Sequence, residues 1–443
     1  MQTASKKVIN GWAMYDWANS VYNLVITTTF FPIYFTAVTK AAYGENSVPF
    51  LGRTFKNSAL YDYSLAFSYL LIVVLLPILS SIADSRGNKK TFMKFFCYLG
   101  ALSCSALFFF RGSHPSVALG VGCFVLAAIG FVGSLVFYNS YLPEIAAPED
   151  RDRVSAKGFA MGYIGSVILQ VIGFVLVLYF SSKGDDSSGP LYTFLLVGLW
   201  WLGFAQIPFS VLPNNKPAVE KHNRSVIAEG FSELNKVWQQ VKAMPVLKRF
   251  LGGFFFYSMG VQTVMLAATL FGSQVLKLPA TKLIITIVLI QLVAIAGATG
   301  MARLSARYGN IKVLIGTVIF WILICLAAYE IANLAERNLN VEYSFYALAV
   351  AVGLVMGGIQ SLSRSTYSKL MPPTRDTASF FSFYDVTEKI AIVIGMFSFG
   401  FIDEQLGMKN SVLSLIVFFT LGLIGLLSTL QKERKTKSSY AVV

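Results

Sequence analysis

The chain has 443 residues, of which 55% are hydrophobic and 13% charged, with a mean hydropathy of +0.63 and a net charge of +14. Soluble domains carry about 25% charged residues, so this composition excludes an ordinary water-soluble globule. Long apolar stretches alternate with short polar connections, the pattern of an all-α polytopic membrane protein.

A hydrocarbon core about 30 Å thick needs roughly 20 apolar residues per helix. Twelve such stretches fall near 12–38, 59–83, 91–111, 117–142, 155–181, 190–211, 249–276, 281–304, 312–335, 341–369, 377–402 and 410–430. None shows the period-2 alternation of an outer-membrane barrel, and helices satisfy their own backbone hydrogen bonds in lipid.

Span 1 follows Lys6 and Lys7, is too long for a signal peptide and contains Asp16, so it reads as a retained first helix. At 100° per residue, Asp16, Asn19, Ser20, Asn23, Thr27 and Tyr34 share one stripe, which suits a wet cavity or a helix seam rather than lipid. Asp16 lies about 6 Å inside the helix start, the place for a gate or an interhelical partner. Asn19 and Asn23 lie deeper, and each amide offers both donor and acceptor to a solute.

After span 2 comes "SSIADSRGNKK", in which Gly87 permits a tight turn and Arg86, Lys89 and Lys90 would hold the loop at the membrane surface. Asp84 beside it can accept from a neighbouring helix N-terminus or a cation. Span 4 carries Ser134, Tyr138, Asn139 and Tyr141, span 7 carries Tyr257, Ser258 and Gln262, and span 10 carries Gln360 and Arg364. The tyrosines suit packing as well as binding. A guanidinium within a span must be paired or wet, so Arg364 would hold either a solute carboxylate or Asp385 or Glu388 of span 11. In span 11, Asp385 and Lys389 are four apart with the acid first, a favourable intrahelical order that would leave Glu388 to pair with Arg364 or to exchange protons.

After span 8, "ARLSARYGNIK" repeats the loop after span 2, with Gly309 and Asn310 matching Gly87 and Asn88. The sequence therefore divides into pseudo-repeated halves, 1–211 and 249–443 with its short basic tail, joined by 212–248. In that connection Ile227, Phe231, Leu234, Trp238 and Val241 recur at helical spacing, an amphipathic helix serving as a tether or a regulatory surface.

Segments on the side of the N-terminus hold 25 of the 36 Lys and Arg against nine on the other side, which places both termini in the cytoplasm. The same bias accounts for the net charge without nucleic acid and suits anionic membrane lipid. Cys97, Cys104, Cys123 and Cys325 fall inside spans and read as small packing residues, while His114 and His222 sit in loops with no metal-ligand spacing. Histidine, cysteine or clustered acids at a reacting centre are missing, so neither an enzyme nor a cofactor is expected.

The string Asp84, Gly87, Lys89, Lys90 resembles the loop signature of the major facilitator superfamily, with Ser80 in place of its leading glycine. That resemblance implies that Asp84 latches the two halves, and that spans 1, 4, 7 and 10 line a central cavity. Ala306 stands where the second copy would have its acid. "WAMYDWANSVY", "YNSYLPEIA" and "QSLSRSTYSKLMP" with "FFSFYDVTEK" resemble the vacuole-effluxer-like branch of that superfamily, which includes vacuolar amino-acid permeases and bacterial relatives. The chain departs from that branch at Ser379, Ser382 and Glu388, where an acid, a glycine and a small residue are common. The resemblance implies twelve helices; a monomeric carrier is expected, in a bacterial inner membrane because no eukaryotic targeting signal is visible. Its expected cargo is a small polar or zwitterionic solute, an amino acid or small peptide, exported by alternating access with possible proton coupling through Asp385 and Glu388. Export of lipophilic solutes, and a membrane sensor that binds without transporting, are the alternatives.

Overall fold

The computed structural model describes residues 2–44, 47–112, 116–214, 226–337 and 339–441; His114 and His222 lie outside them. Helices dominate: α1 (Lys6–Tyr43), α2 (Asn57–Arg86), α3 (Lys89–Phe109), α4 (Val117–Ile145), α5 (Arg151–Ser181) and α6 (Ser188–Val211) come first. The shorter α7 (Val226–Ala243) precedes α8 (Pro245–Leu270), α9 (Ala280–Tyr308), α10 (Asn310–Glu336), α11 (Glu342–Leu370), α12 (Thr377–Leu406) and α13 (Met408–Ala441). Each of the twelve apolar stretches falls on a helix other than α7, and ten of those helices are long and apolar enough to cross a membrane among the described residues. The other two are α8 and α12, and α12 carries Asp385, Glu388 and Lys389 along its length.

Two features depart from a regular all-α reading. Between α1 and α2 a hairpin pairs Val48–Phe50 (β1) with Arg53–Phe55 (β2), and Leu51 and Gly52 at its tip take φ of 48° and 75°. Positive φ at both central residues is the geometry that tight two-residue hairpins require. Within α1, Tyr22–Phe30 is wound as a π-helix, so the even 100° stripe expected from Asp16 to Tyr34 breaks there. The local cause lies in Thr27, Thr28, Thr29 and Pro32. The Thr28 and Thr29 hydroxyls both donate to the Leu24 carbonyl, at 2.8 and 3.2 Å, and Pro32 offers no N–H to continue an α-helical ladder. The Thr27 carbonyl takes the Tyr61 hydroxyl at 2.6 Å instead.

Both copies of the repeated loop turn on a glycine at positive φ. Gly87 (φ 65°) ends α2, with the Asn88 amide reaching the Ala83 carbonyl at 3.1 Å and the Gly87 amide the Asp84 carbonyl at 3.3 Å, a Schellman closure. Gly309 (φ 86°, ψ 146°) stands between α9 and α10 in a different conformation, its amide reaching the Ser305 carbonyl at 2.8 Å.

Two compact units divide the chain: one holds Ala4–Tyr141 and Met161–Gly230, the other Met1–Thr3, Leu142–Ala160 and Phe231–Val443. The division differs from the boundaries 1–211, 212–248 and 249–443, because the end of α4 and the opening of α5 group with the second half. The two are called the first-half and second-half units below.

Bare glycine faces let helices touch within each unit. A Cβ on Gly130 would lie 2.4 Å from the Gly100 Cα, and one on Gly357 2.1 Å from the Ala294 carbonyl oxygen. Neither neighbour is a flexible side chain, so the helices themselves would have to part. Gly357→Ala should therefore lower the melting temperature of the detergent-solubilised protein by several degrees. Gly316→Ala, whose Cβ would meet nothing within 4 Å, should leave it unchanged or raise it. Equal melting temperatures for the two variants would refute this packing.

Candidate functional site

In the first-half unit, α1 and α4 bring one acid into an aromatic nest. The Tyr138 hydroxyl donates to Asp16 Oδ2 at 2.7 Å, and the Trp12 indole N–H donates to the Tyr138 carbonyl at 3.0 Å. Trp12 stacks on Tyr138 with ring centroids 4.5 Å apart, and Tyr15 lies 5.1 Å from the same ring. Asp16 is thus an interhelical partner, and Tyr138 both packs and hydrogen-bonds. One turn on, Asn19 is fully buried, with neither its amide nitrogen nor its carbonyl oxygen hydrogen-bonded. A primary amide left so in an apolar interior costs roughly 1–3 kcal/mol. Asn23, inside the π segment, is partly buried.

The loop between α2 and α3 differs from its expected role as a surface anchor. Lys89 is 1% exposed and its ammonium sits 5.2 Å from the Tyr141 ring centroid, while Lys90 donates to the Phe209 carbonyl at 3.2 Å. That carbonyl is close to the end of α6, where the helix dipole favours a cation. Asp84 is buried on the last turns of α2, and Gly87 closes the helix beside it.

In the second-half unit, α8, α11 and α12 assemble a polar wall. The Tyr257 and Ser363 hydroxyls share a hydrogen bond of 2.7 Å. Gln262 donates to Glu388 Oε1 at 3.1 Å, and Lys389 donates to Glu388 Oε2 at 2.7 Å. Lys389 therefore pairs with its neighbour in sequence, and Glu388 is held from two sides instead of meeting Arg364. Gln360 donates to the Met265 sulfur at 3.3 Å, and Asp385 is buried one turn before Lys389.

Arg364 lies with the opening of α5. Its Nε donates to Ser155 Oγ and its Nη2 to the Ser155 carbonyl, both at 2.9 Å, and its guanidinium carbon is 4.3 Å from the Phe159 ring centroid. Next to it stands a cluster that the sequence reading missed. Asp152 accepts from Ser305 (2.7 Å), from the Asn310 amide (2.7 Å) and from the Lys369 ammonium (2.6 Å), and Lys369 also donates to Asn310 Oδ1 at 3.0 Å. Arg151 donates to the Ser368 carbonyl at 2.7 Å, and Thr377 to Glu144 at 2.7 Å. The second loop copy, which has Ala306 in the acid's place, thus works with an acid lent by α5. The serine-rich string of span 10 was the available signal, since Ser361, Arg364, Ser365, Thr366, Ser368 and Lys369 all turn out buried or partly buried.

On the chain N-terminal to α5, the Thr3 hydroxyl and then Arg153 hydrogen-bond Asp150 and hold its carboxyl below the usual range. A depressed carboxylate stabilises the fold above its ordinary pKa, and that contribution disappears as pH falls through the depressed value. Exposure keeps it small.

In α7, Val237 and Val241 are buried while Phe231 is exposed. Trp238 stacks on Phe383 of α12 at 5.5 Å, and Lys236 approaches Asp376 to 3.8 Å. The amphipathic helix is seated on protein by a narrower face than its spacing suggested; the Ile227 side chain lies outside what is described.

Comparison with known proteins places these features in context. The family model "Vacuole effluxer Atg22 like" matches residues 4–439. The uncharacterized MFS-type transporter YxiO of Bacillus subtilis is 32% identical, over 97% of this chain and 96% of its own length. Autophagy-related protein 22 of Yarrowia lipolytica is 24% identical, over 88% and 79%. Among solved structures, the human organic anion transporter MFSD10 superposes with a TM-score of 0.70 at 12% identity, covering 95% of this chain and 99% of that one. A bacterial homologue of the iron transporter ferroportin, in its outward-facing state, gives 0.67 at 13% identity, covering 96% and 98%. At such identities the structural matches establish the fold: an all-α polytopic major facilitator architecture.

Removing one member of a buried ion pair strands the other. Lys369→Met should destabilise the protein by about 3 kcal/mol, the low end for such pairs because Ser305 and Asn310 still serve Asp152. Adding Asp152→Asn should recover much of the loss. A double-mutant cycle by equilibrium unfolding in detergent checks this; strictly additive effects would show that the two side chains do not interact.

Proposed function

Since the chain belongs to the Atg22-like vacuole effluxer family of major facilitator transporters, we propose that it exports a small polar or zwitterionic solute, an amino acid or small peptide, by alternating access. It is an integral multi-pass membrane transporter and not an enzyme. We place it as a monomer in a bacterial inner membrane with both termini cytoplasmic, in line with the basic segments on that side and with its Bacillus relative.

The observation that carries the substrate class is the wall of α8 and α12, where Gln262, Glu388 and Lys389 put opposite charges and an amide side by side. Such a surface offers a partner to each end of a zwitterion, with Tyr257 and Gln360 of the same unit as further polar contacts. In this scheme a proton reaching Glu388 cancels the charge that holds Lys389 and frees the ammonium for a solute carboxylate. Asp385 on the same helix is the second proton site. Arg364 serves as anion anchor when it leaves Ser155, and Asp84, Gly87, Lys89 and Lys90 serve as a gate. The aromatic nest around Asp16 supports a second reading, export of a lipophilic cation.

Flux of a labelled amino-acid panel and of one lipophilic cation into proteoliposomes, with and without an imposed pH gradient, separates the readings. An amino acid should move, faster with the gradient, and Glu388→Gln should remove the gradient's effect while Arg364→Ala reduces flux at least tenfold. Movement of the cation alone would reject the zwitterion reading.

A further inference from the structure

The second-half unit contains a cavity of about 390 Å3 where α9 ends and α10 begins. Its wall includes Asn310 and Lys312 from α10, Thr366 and Lys369 from α11, and Glu433 and Arg434 from α13. Three cations on three different helices therefore face one acid across a space that could hold several waters, each taking about 30 Å3 in the liquid. Lys369 is paired with Asp152 and Glu433 lies in the wall, so three cations meet two acids and one positive charge is left for an incoming anion. The first turn of α10, a helix of 27 residues, adds the positive end of its dipole to the same wall.

We propose that this cavity binds a phosphate-bearing anion and that its occupancy is linked to the Asp152 cluster through Lys369. A phosphate group fits better than a carboxylate because its oxygens point in several directions and accept from donors on separate helices at once. Linkage follows from shared side chains. Lys369 and Asn310 line the cavity and also donate to Asp152. An anion that draws the Lys369 ammonium toward itself weakens its hold on Asp152, and by reciprocity a weaker Asp152 strengthens the anion's hold. The ligand is either the headgroup of an anionic phospholipid or a soluble phosphate, and both present the same chemistry.

The test uses the full-length protein in neutral detergent. Melting temperature is followed against inorganic phosphate, against short-chain phosphatidylglycerol, and against chloride at matched ionic strength. Saturable stabilisation beyond chloride is expected with at least one probe: phosphate alone identifies a soluble ligand, phosphatidylglycerol alone a lipid headgroup. The double variant Lys312→Gln, Arg434→Gln changes exposed side chains only and should melt like wild type without anion, yet lose at least tenfold in apparent affinity. Asp152→Asn should bind severalfold more tightly. No stabilisation beyond chloride, or full stabilisation in the double variant, overturns the site; unchanged affinity in Asp152→Asn overturns the linkage.

Discussion

A polar side chain inside a membrane-spanning bundle has no bulk water to fall back on, so the protein must supply its partner or a wet cavity must. This constraint organises the chain. The Asp152 carboxylate is met by a hydroxyl, an amide and an ammonium. Glu388 is met by an amide and an ammonium, and Arg364 by a serine's hydroxyl and carbonyl. Asn19 stands apart, since both of its polar atoms are buried without a hydrogen bond. Single atoms elsewhere, such as the Tyr15 and Thr263 hydroxyls, are also buried without a hydrogen bond, but an amide open at both ends is, in the proposed scheme, a place for a partner that comes and goes.

Much of the fold was legible because apolar length is a strong signal in lipid: each of the twelve stretches lies on a helix, and Gly87 and Gly309 both marked helix ends. Helix ends were less legible. The last span was read to 430, yet α13 runs to Ala441, because Gln, Lys, Glu and Arg favour helix as much as apolar residues do. The π segment of α1 was hidden because threonines and a proline bias the backbone without specifying which hydrogen bonds shift. The hairpin at 48–55 was hidden because so short a ladder has little pattern to read.

The site was less legible still, because charge pairing is tertiary. Spacing drew attention to Asp385 with Lys389 along one helix face and did not single out the hydrogen bond from the ammonium to the adjacent residue, Glu388. Lys89 looked like a surface anchor by composition and is instead buried over a tyrosine ring. Asp152 lies in the acidic and basic run "EDRDR" between spans 4 and 5, to which the sequence reading gave no role. Only folding shows that it supplies the acid missing at Ala306. The two loop copies thus both turn on a positive-φ glycine but differ in how the helix is closed and in where the carboxylate comes from.

These arrangements assign different work to different polar groups. Asp152, Lys369 and Asn310 tie helices together, whereas the proposed scheme gives Asn19, in its own unit, and the Gln262–Glu388–Lys389 set, in the other, to a solute. The most direct test is equilibrium binding of the transported solute to purified protein carrying Asn19→Ala or Gln262→Ala, measured together with melting temperature. The account predicts at least tenfold weaker binding with an unchanged or higher melting temperature for Asn19→Ala. Unchanged affinity with a lower melting temperature would contradict it, showing that these amides serve packing and not the solute.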